Sequence, residues 1–264
     1  MPGRRRQPGP TEGSLRSVMS RVCAGVVSVC LAAGAIAPVA SAADDRVVPV
    51  GYRLLSLGDQ RAKWGPAIPG TGAIVRYAFV AASTDRPGAR NCGEMEPFAP
   101  TLSNSRLSAE DFRREIRRAL DSWERVANIR FVPVAAGEPA DLVIGLQRRS
   151  RGIAYADVQR DSVSDGPIAA IRQAAICFNP MRAWESAFDG NPDTPDVRYV
   201  TAHEIGHVIG LDHSWARDDI RLMDFRNHET VRVPQKGDIA GAVHLYGRRM
   251  LGEAGAAATA SVKQ

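Results

Sequence analysis

The run Thr201-Ala202-His203-Glu204-Ile205-Gly206-His207-Val208-Ile209-Gly210-Leu211-Asp212-His213-Ser214 gathers three of the chain's five histidines into eleven residues. His203 and His207 are four residues apart. On a helix they stand one turn above each other on one face, where two imidazole nitrogens can reach a single ion. A straight helix cannot bring a third ligand from its next turn in the tetrahedral direction. Gly210 removes that obstacle, because it can take a positive φ, end the helix and swing the chain until His213 returns to the ion. Three neutral nitrogens suit Zn2+ and leave its fourth position to water, which is the open arrangement of a catalytic site. Glu204 follows the first ligand directly and can lean towards that water without occupying the metal. Zinc lowers the pKa of bound water from about 15.7 to about 7, and a neighbouring carboxylate can take the proton and hand it to a leaving amine. The chemistry specified is hydrolysis of a peptide bond with Glu204 as general base and acid and no covalent intermediate. His228 and His244 stand apart from this run and read as surface or packing residues.

These ligands need elements to hold them. Thr194-Pro195-Asp196 reads as an N-cap with proline at the first helical position, which predicts a ligand-bearing helix through Gly210. Ser108, three residues before Asp111, is a second N-cap. Behind it Phe112, Ile116, Leu120, Trp123 and Val126 recur at helical steps to Ala127, with a charged face left to solvent. Strands are predicted at Ala73–Ala82, Ile129–Val134, Asp141–Leu146, Gly152–Val158 and Ala174–Asn179, and a last helix from Gln235 to Tyr246, ended by Gly247. The loop holding Asp161, Asp165 and Gly166 could bind calcium. Its spacing matches no calcium-loop template, and ordinary turn chemistry is the expectation.

At its N-terminal end, Arg16 and Arg21 precede an apolar run from Val22 to Val39, followed by Ala40-Ser41-Ala42 and two acids. This pattern predicts a secretory signal over residues 1–42 and no stable membrane anchor. The remaining organisation is expected as an N-terminal extension (43–72), a catalytic domain (73–250) and an Ala-rich flexible tail (251–264). The formal charge is +5, but five basic residues and one acid precede residue 43, and the rest of the chain holds 29 basic residues against 28 acidic. That balance gives no electrostatic case for a nucleic-acid partner. Cys23 and Cys30 leave with the signal. Cys92 and Cys177 are then an even pair in an oxidising compartment, where a disulfide is expected and two separate thiols are the alternative.

The histidine pattern is the metzincin signature. Within that clan the chain resembles the matrixins, the matrix-metalloproteinase-like zinc endopeptidases. The resemblance rests on HEIGHVIGLDHS, on Leu222-Met223 as the Met-turn, and on GDIAGAVHLYG (237–247) as a closing helix. It spans about residues 60–247 and is most specific in the last third. The implied fold is α+β, a zincin-like metzincin domain: a twisted mixed β-sheet carrying two long helices, with a small C-terminal subdomain closed by a helix. Met223 would form the apolar floor beneath the ligands, and Asp238 would tie the last helix to that turn. Residues 152–158 would be the edge strand along which an extended protein or peptide substrate lies.

The chain also departs from the family pattern. Residues 141–200 contain no histidine, where many matrixins hold a second, structural zinc, so one catalytic zinc is expected. Asp-Phe-Arg-Asn follows Met223 in place of the Pro-x-Tyr wall of the specificity pocket. This leaves the side-chain preference open, with core packing the expectation for Trp215 and Phe225. Arg90-Asn91-Cys92-Gly93 faintly echoes the thiolate segment that silences matrixin precursors, but it lacks the Pro-Arg pair and follows the first strand. The expectation is a secreted, monomeric zinc endopeptidase, extracellular or periplasmic. The other class of function is a secreted zinc-holding binding or adhesion protein with little turnover, which would have no need of Glu204.

Overall fold

The computed structural model describes residues 51–98, 104–105, 107–135, 137–161, 166–191, 193–215, 220–224, 226 and 230–249. The expected signal and tail lie outside these residues, as do Asp165, Phe225 and His228.

The elements run in the order β1 (Arg53–Leu54), β2 (Ser56–Leu57), β3 (Gln60–Lys63), β4 (Ala73–Phe79), β5 (Thr84–Asp85), β6 (Glu94–Glu96), α1 (Ala109–Glu124), β7 (Ile129–Pro133), β8 (Leu142–Gln147), β9 (Ala154–Arg160), β10 (Ile168–Phe178), α2 (Val197–Val208), β11 (Leu211–Asp212) and α3 (Lys236–Tyr246). The principal sheet is ordered β7-β4-β8-β10-β9. It is parallel from β7 to β10 and antiparallel where β9 joins β10 as the outer strand. The fold is the mixed α+β arrangement expected from the resemblance. β8 reads Leu-Val-Ile-Gly-Leu-Gln, a nearly unbroken apolar run suited to a strand flanked on both sides.

Alternation along the strands assigns two faces. Leu142, Ile144 and Leu146 of β8 and Ala174, Ile176 and Phe178 of β10 meet Phe112, Ile116, Leu120 and Trp123 of α1 in the main core. The alternate residues Ala175 and Cys177 join Val80, Cys92 and Met95 in a second cluster. There Cys92 and Cys177 are joined by a disulfide, as expected. α1 begins in the predicted capping box, where Ser108 Oγ accepts the Asp111 N–H at 3.1 Å and the Asp111 carboxylate accepts the Ser108 N–H at 3.2 Å.

Several predicted boundaries move: β4 ends at Phe79, β9 runs from Ala154 to Arg160 in place of 152–158, and α2 stops at Val208. β10 starts at Ile168, earlier than Ala174, because Ile168–Ala170 pair in parallel with Arg61–Lys63 of β3. α2 is capped by Asp196 and not by Thr194: the Asp196 carboxylate accepts the Tyr199 N–H at 2.8 Å and is also bonded by Arg232. Residues 51–63, within the segment expected as an extension, form three short strands. β2 pairs with β3, and β1 pairs antiparallel with β11.

Candidate active site

α2 is buried around most of its circumference, including Val197, Tyr199, Val200, Ala202, Ile205 and Val208. This is the pattern of a helix enclosed by its own domain. Two polar contacts fix it against α1. The Trp123 indole N–H donates to the Ala202 carbonyl at 2.9 Å, and Arg198 pairs with the buried Glu115 at 2.7 Å. His203 and His207 therefore project from a clamped element. The helix ends at Val208, Gly210 takes φ +96°, and the chain turns through β11 to His213.

The turn brings the three histidines together. His213 Nε2 lies 3.1 Å from both His203 Nε2 and His207 Nε2, and the three ligand atoms are all within 4.8 Å of one another. The two 3.1 Å spacings are short enough for these nitrogens to share one ion, as bonds of ~2.0–2.1 Å to zinc would require. The opposite ring nitrogens are bonded as well: His203 Nδ1 to the Leu222 carbonyl at 2.7 Å, and His207 Nδ1 to the Leu211 carbonyl at 2.9 Å. A carbonyl only accepts, so each Nδ1 carries the proton and each Nε2 presents its lone pair to the cluster. Burial, aided by the neighbouring rings, holds His203 down to about 3 and His207 to about 4. Burial lowers His213 as well. Neutral imidazoles are what a divalent cation requires. The donor set fits zinc.

Glu204 sits on the same helix beside this cluster and is buried. Burial pushes its carboxyl up to about 8, opposed by a hydrogen bond from the backbone N–H of Ala156 on β9. A cation held by the three Nε2 atoms would favour the ionised form. A cleft of about 230 Å³ opens here, lined by Ile153, Ala154, Val200, Asp224 and the site's own His203 and Glu204.

Below the ligands, Met223 is buried with Leu222. Asp238, at the start of α3, accepts the backbone N–H groups of Leu222 at 2.8 Å, Met223 at 3.2 Å and Gln235 at 2.8 Å. It thereby ties the helix to the turn, as the resemblance implied. The Leu222 carbonyl then reaches His203, so the turn held by Asp238 also fixes the orientation of that ring. Cys92 is bonded to Cys177 on the other face of the sheet and is no part of the cluster.

Other expectations are corrected here. Trp215 is 59% exposed and not a core residue. His244, read as a surface or packing residue, is exposed as that reading has it, its ring 5.8 Å from that of Tyr52. Asp224 was not foreseen as a cleft residue. It is buried and bonded by Arg226 at 3.0 Å, and its position directly after Met223 was the available signal. Among the described residues, the three histidines are the only group of three or more His, Cys, Asp and Glu side chains close enough to share an ion. No helix of the described residues is long and apolar enough to cross a membrane.

A profile of the matrixin family matches residues 98–247. Metalloendoproteinase 1-MMP of Arabidopsis thaliana is 27% identical over 151 residues, covering 53% of this chain and 39% of that protein. Stromelysin-3 of Mus musculus is 29% identical over 168 residues, or 59% of this chain and 31% of its own length. Matrix metalloproteinase-19 of Mus musculus is 26% identical over 151 residues, 55% and 27% respectively. The chain thus spans well under half the length of these three relatives. The family match, in contrast, begins ahead of α1, ends at the close of α3 and takes in more than half of the sequence, so it does not rest on the histidine motif alone: the chain belongs to the matrixin family.

Proposed function

We propose that this chain is a secreted zinc endopeptidase in which His203, His207 and His213 hold one catalytic zinc and Glu204 is the general base and acid. The observation that carries this reading is the convergence of three Nε2 atoms, each within 4.8 Å of the others, beside a buried carboxylate at the wall of an open cleft. Zinc, when bound, supplies Lewis acidity: it acidifies a coordinated water towards pKa 7 and polarises the carbonyl to be cleaved. The chain's own residues do the rest. Glu204 accepts a proton at its carboxylate and returns it to the departing amine. β9, the outer strand of the principal sheet, offers a backbone edge to an extended peptide. Ile153, Ala154 and Val200 give the adjoining cleft an apolar lining against which substrate side chains can pack. The disulfide supports an oxidising destination, extracellular or periplasmic.

The test is purified protein incubated with unfolded casein. Cleavage is expected, lost with a zinc chelator and restored by added zinc. Glu204→Gln should reduce the rate by about 10²–10⁴ while zinc stays bound. Zinc-loaded protein that leaves casein intact refutes the peptidase reading.

A further inference from the structure

α2 stops at Val208, five residues before His213, and its last carbonyls need donors from elsewhere. Those of Ile205 and His207 are taken by the N–H groups of Ile209 and Gly210. The next three are met from outside the helix. The Trp64 indole N–H donates to Val208 at 2.8 Å, the Tyr246 hydroxyl to Ile209 at 2.8 Å, and the Leu55 N–H to Gly210 at 2.8 Å. Tyr246 Oη in turn accepts the Trp64 backbone N–H at 3.0 Å, so both nitrogens of Trp64 are engaged in holding this turn. Beyond it, Leu211 and Asp212 are extended against Leu54 and Arg53. The Arg53 guanidinium reaches the Asp212 carboxylate at 3.3 Å and the His213 carbonyl at 3.4 Å. The segment lies flush on the turn: a Cβ on Gly210 would come 2.1 Å from the Ala62 carbonyl oxygen. Lys63 braces it, its buried ammonium donating to the Trp64 carbonyl at 2.8 Å and the Pro66 carbonyl at 2.6 Å.

We infer that residues 53–64, which contain no ligand, act as a strap that sets His213 in place for zinc, with Arg53 and Trp64 as positioning residues. The inference rests on the zinc reading above. His203 and His207 are placed by a helix clamped to α1, whereas His213 sits on a loop whose backbone partners at Gly210, Leu211 and Asp212 come largely from this strap. Loosening the strap therefore acts on His213 and, through the Leu211 carbonyl that holds its ring, on His207, while His203 keeps its bond to the Leu222 carbonyl.

The experiment measures the zinc Kd of the full chain by chelator competition, together with the melting temperature of the metal-free protein. Arg53 is exposed, so Arg53→Met is expected to fold normally, leave the metal-free melting temperature within about 2 °C, and weaken zinc binding two- to fivefold, on the order of one exposed ion pair. Arg53→Lys should recover most of that loss. Trp64→Phe, which leaves the Val208 carbonyl without its donor, should weaken zinc binding about tenfold or more. Its cobalt-loaded form should show an absorption band shifted from that of the unaltered protein. Unchanged zinc affinity in both Arg53→Met and Trp64→Phe, with the unaltered chain binding tightly, overturns the strap and leaves the zinc site standing. An unaltered chain that takes up no zinc overturns the zinc reading and the strap with it.

Discussion

The sulfur of Met223 occupies the space a side chain on Gly206 would need: a Cβ built at Gly206 falls 2.1 Å from Met223 Sδ and 3.3 Å from the Trp123 ring. Gly206 lies between the two helical ligands, so its bare backbone is what lets the Met-turn rise close beneath them. Gly206→Ala should overpack this contact and cost about 1–3 kcal/mol. Gly206→Ala with Met223→Ala should cost less than the two single changes together, because the added methyl then enters vacated space. Denaturant unfolding of the three variants measures it. Additive losses would show that the two residues do not compete for one volume.

Metal-free protein should lose stability on mild acidification. His203 and His207 are held at about 3 and about 4 in the fold, against about 6.5 in the unfolded chain. Between these limits the unfolded chain binds more protons. The stability these two rings contribute is therefore complete above pH 6.5 and is lost as pH falls through 6.5 towards 4 and 3, while Glu204, held at about 8 by burial, offsets part of the loss as it takes up its proton. Melting curves of chelator-treated protein from pH 7.5 to 4 test this, and His207→Gln should flatten the slope.

Asp238→Ala leaves three backbone N–H groups, two of them buried, without an acceptor and should destabilise by about 3–5 kcal/mol. Asp238→Asn keeps one oxygen and should fall between that variant and the unaltered chain. Thermal unfolding distinguishes this ordering from an equal loss in both variants.

Cys92→Ser should lower stability by about 2–4 kcal/mol, because the disulfide closes a loop across a sequence separation of 85 residues. It should not raise peptidase activity at early times, since this sulfur is bonded on the far side of the sheet. A burst of cleavage in the variant would show that the thiol restrains the metal site.

The histidine cluster was legible because its geometry is local: a four-residue helical step and one glycine carry the ligands together. α1 was legible for the same reason, its cap and apolar period lying within twenty residues. β1, β2, β3 and β11 were not. Strands of two to four residues have no period to detect, and Arg53 is bonded to a carbonyl 160 residues along the chain. The shift of the α2 cap to Asp196 has a similar cause, for the carboxylate that begins the helix is also held by Arg232, which no local pattern ties to it.

β9 joins the principal sheet through β10, and β10 is fastened on its opposite face to Cys92 by a covalent bond. The cleft-side margin is thus backed by a strand that cannot peel from its layer without breaking a sulfur bridge.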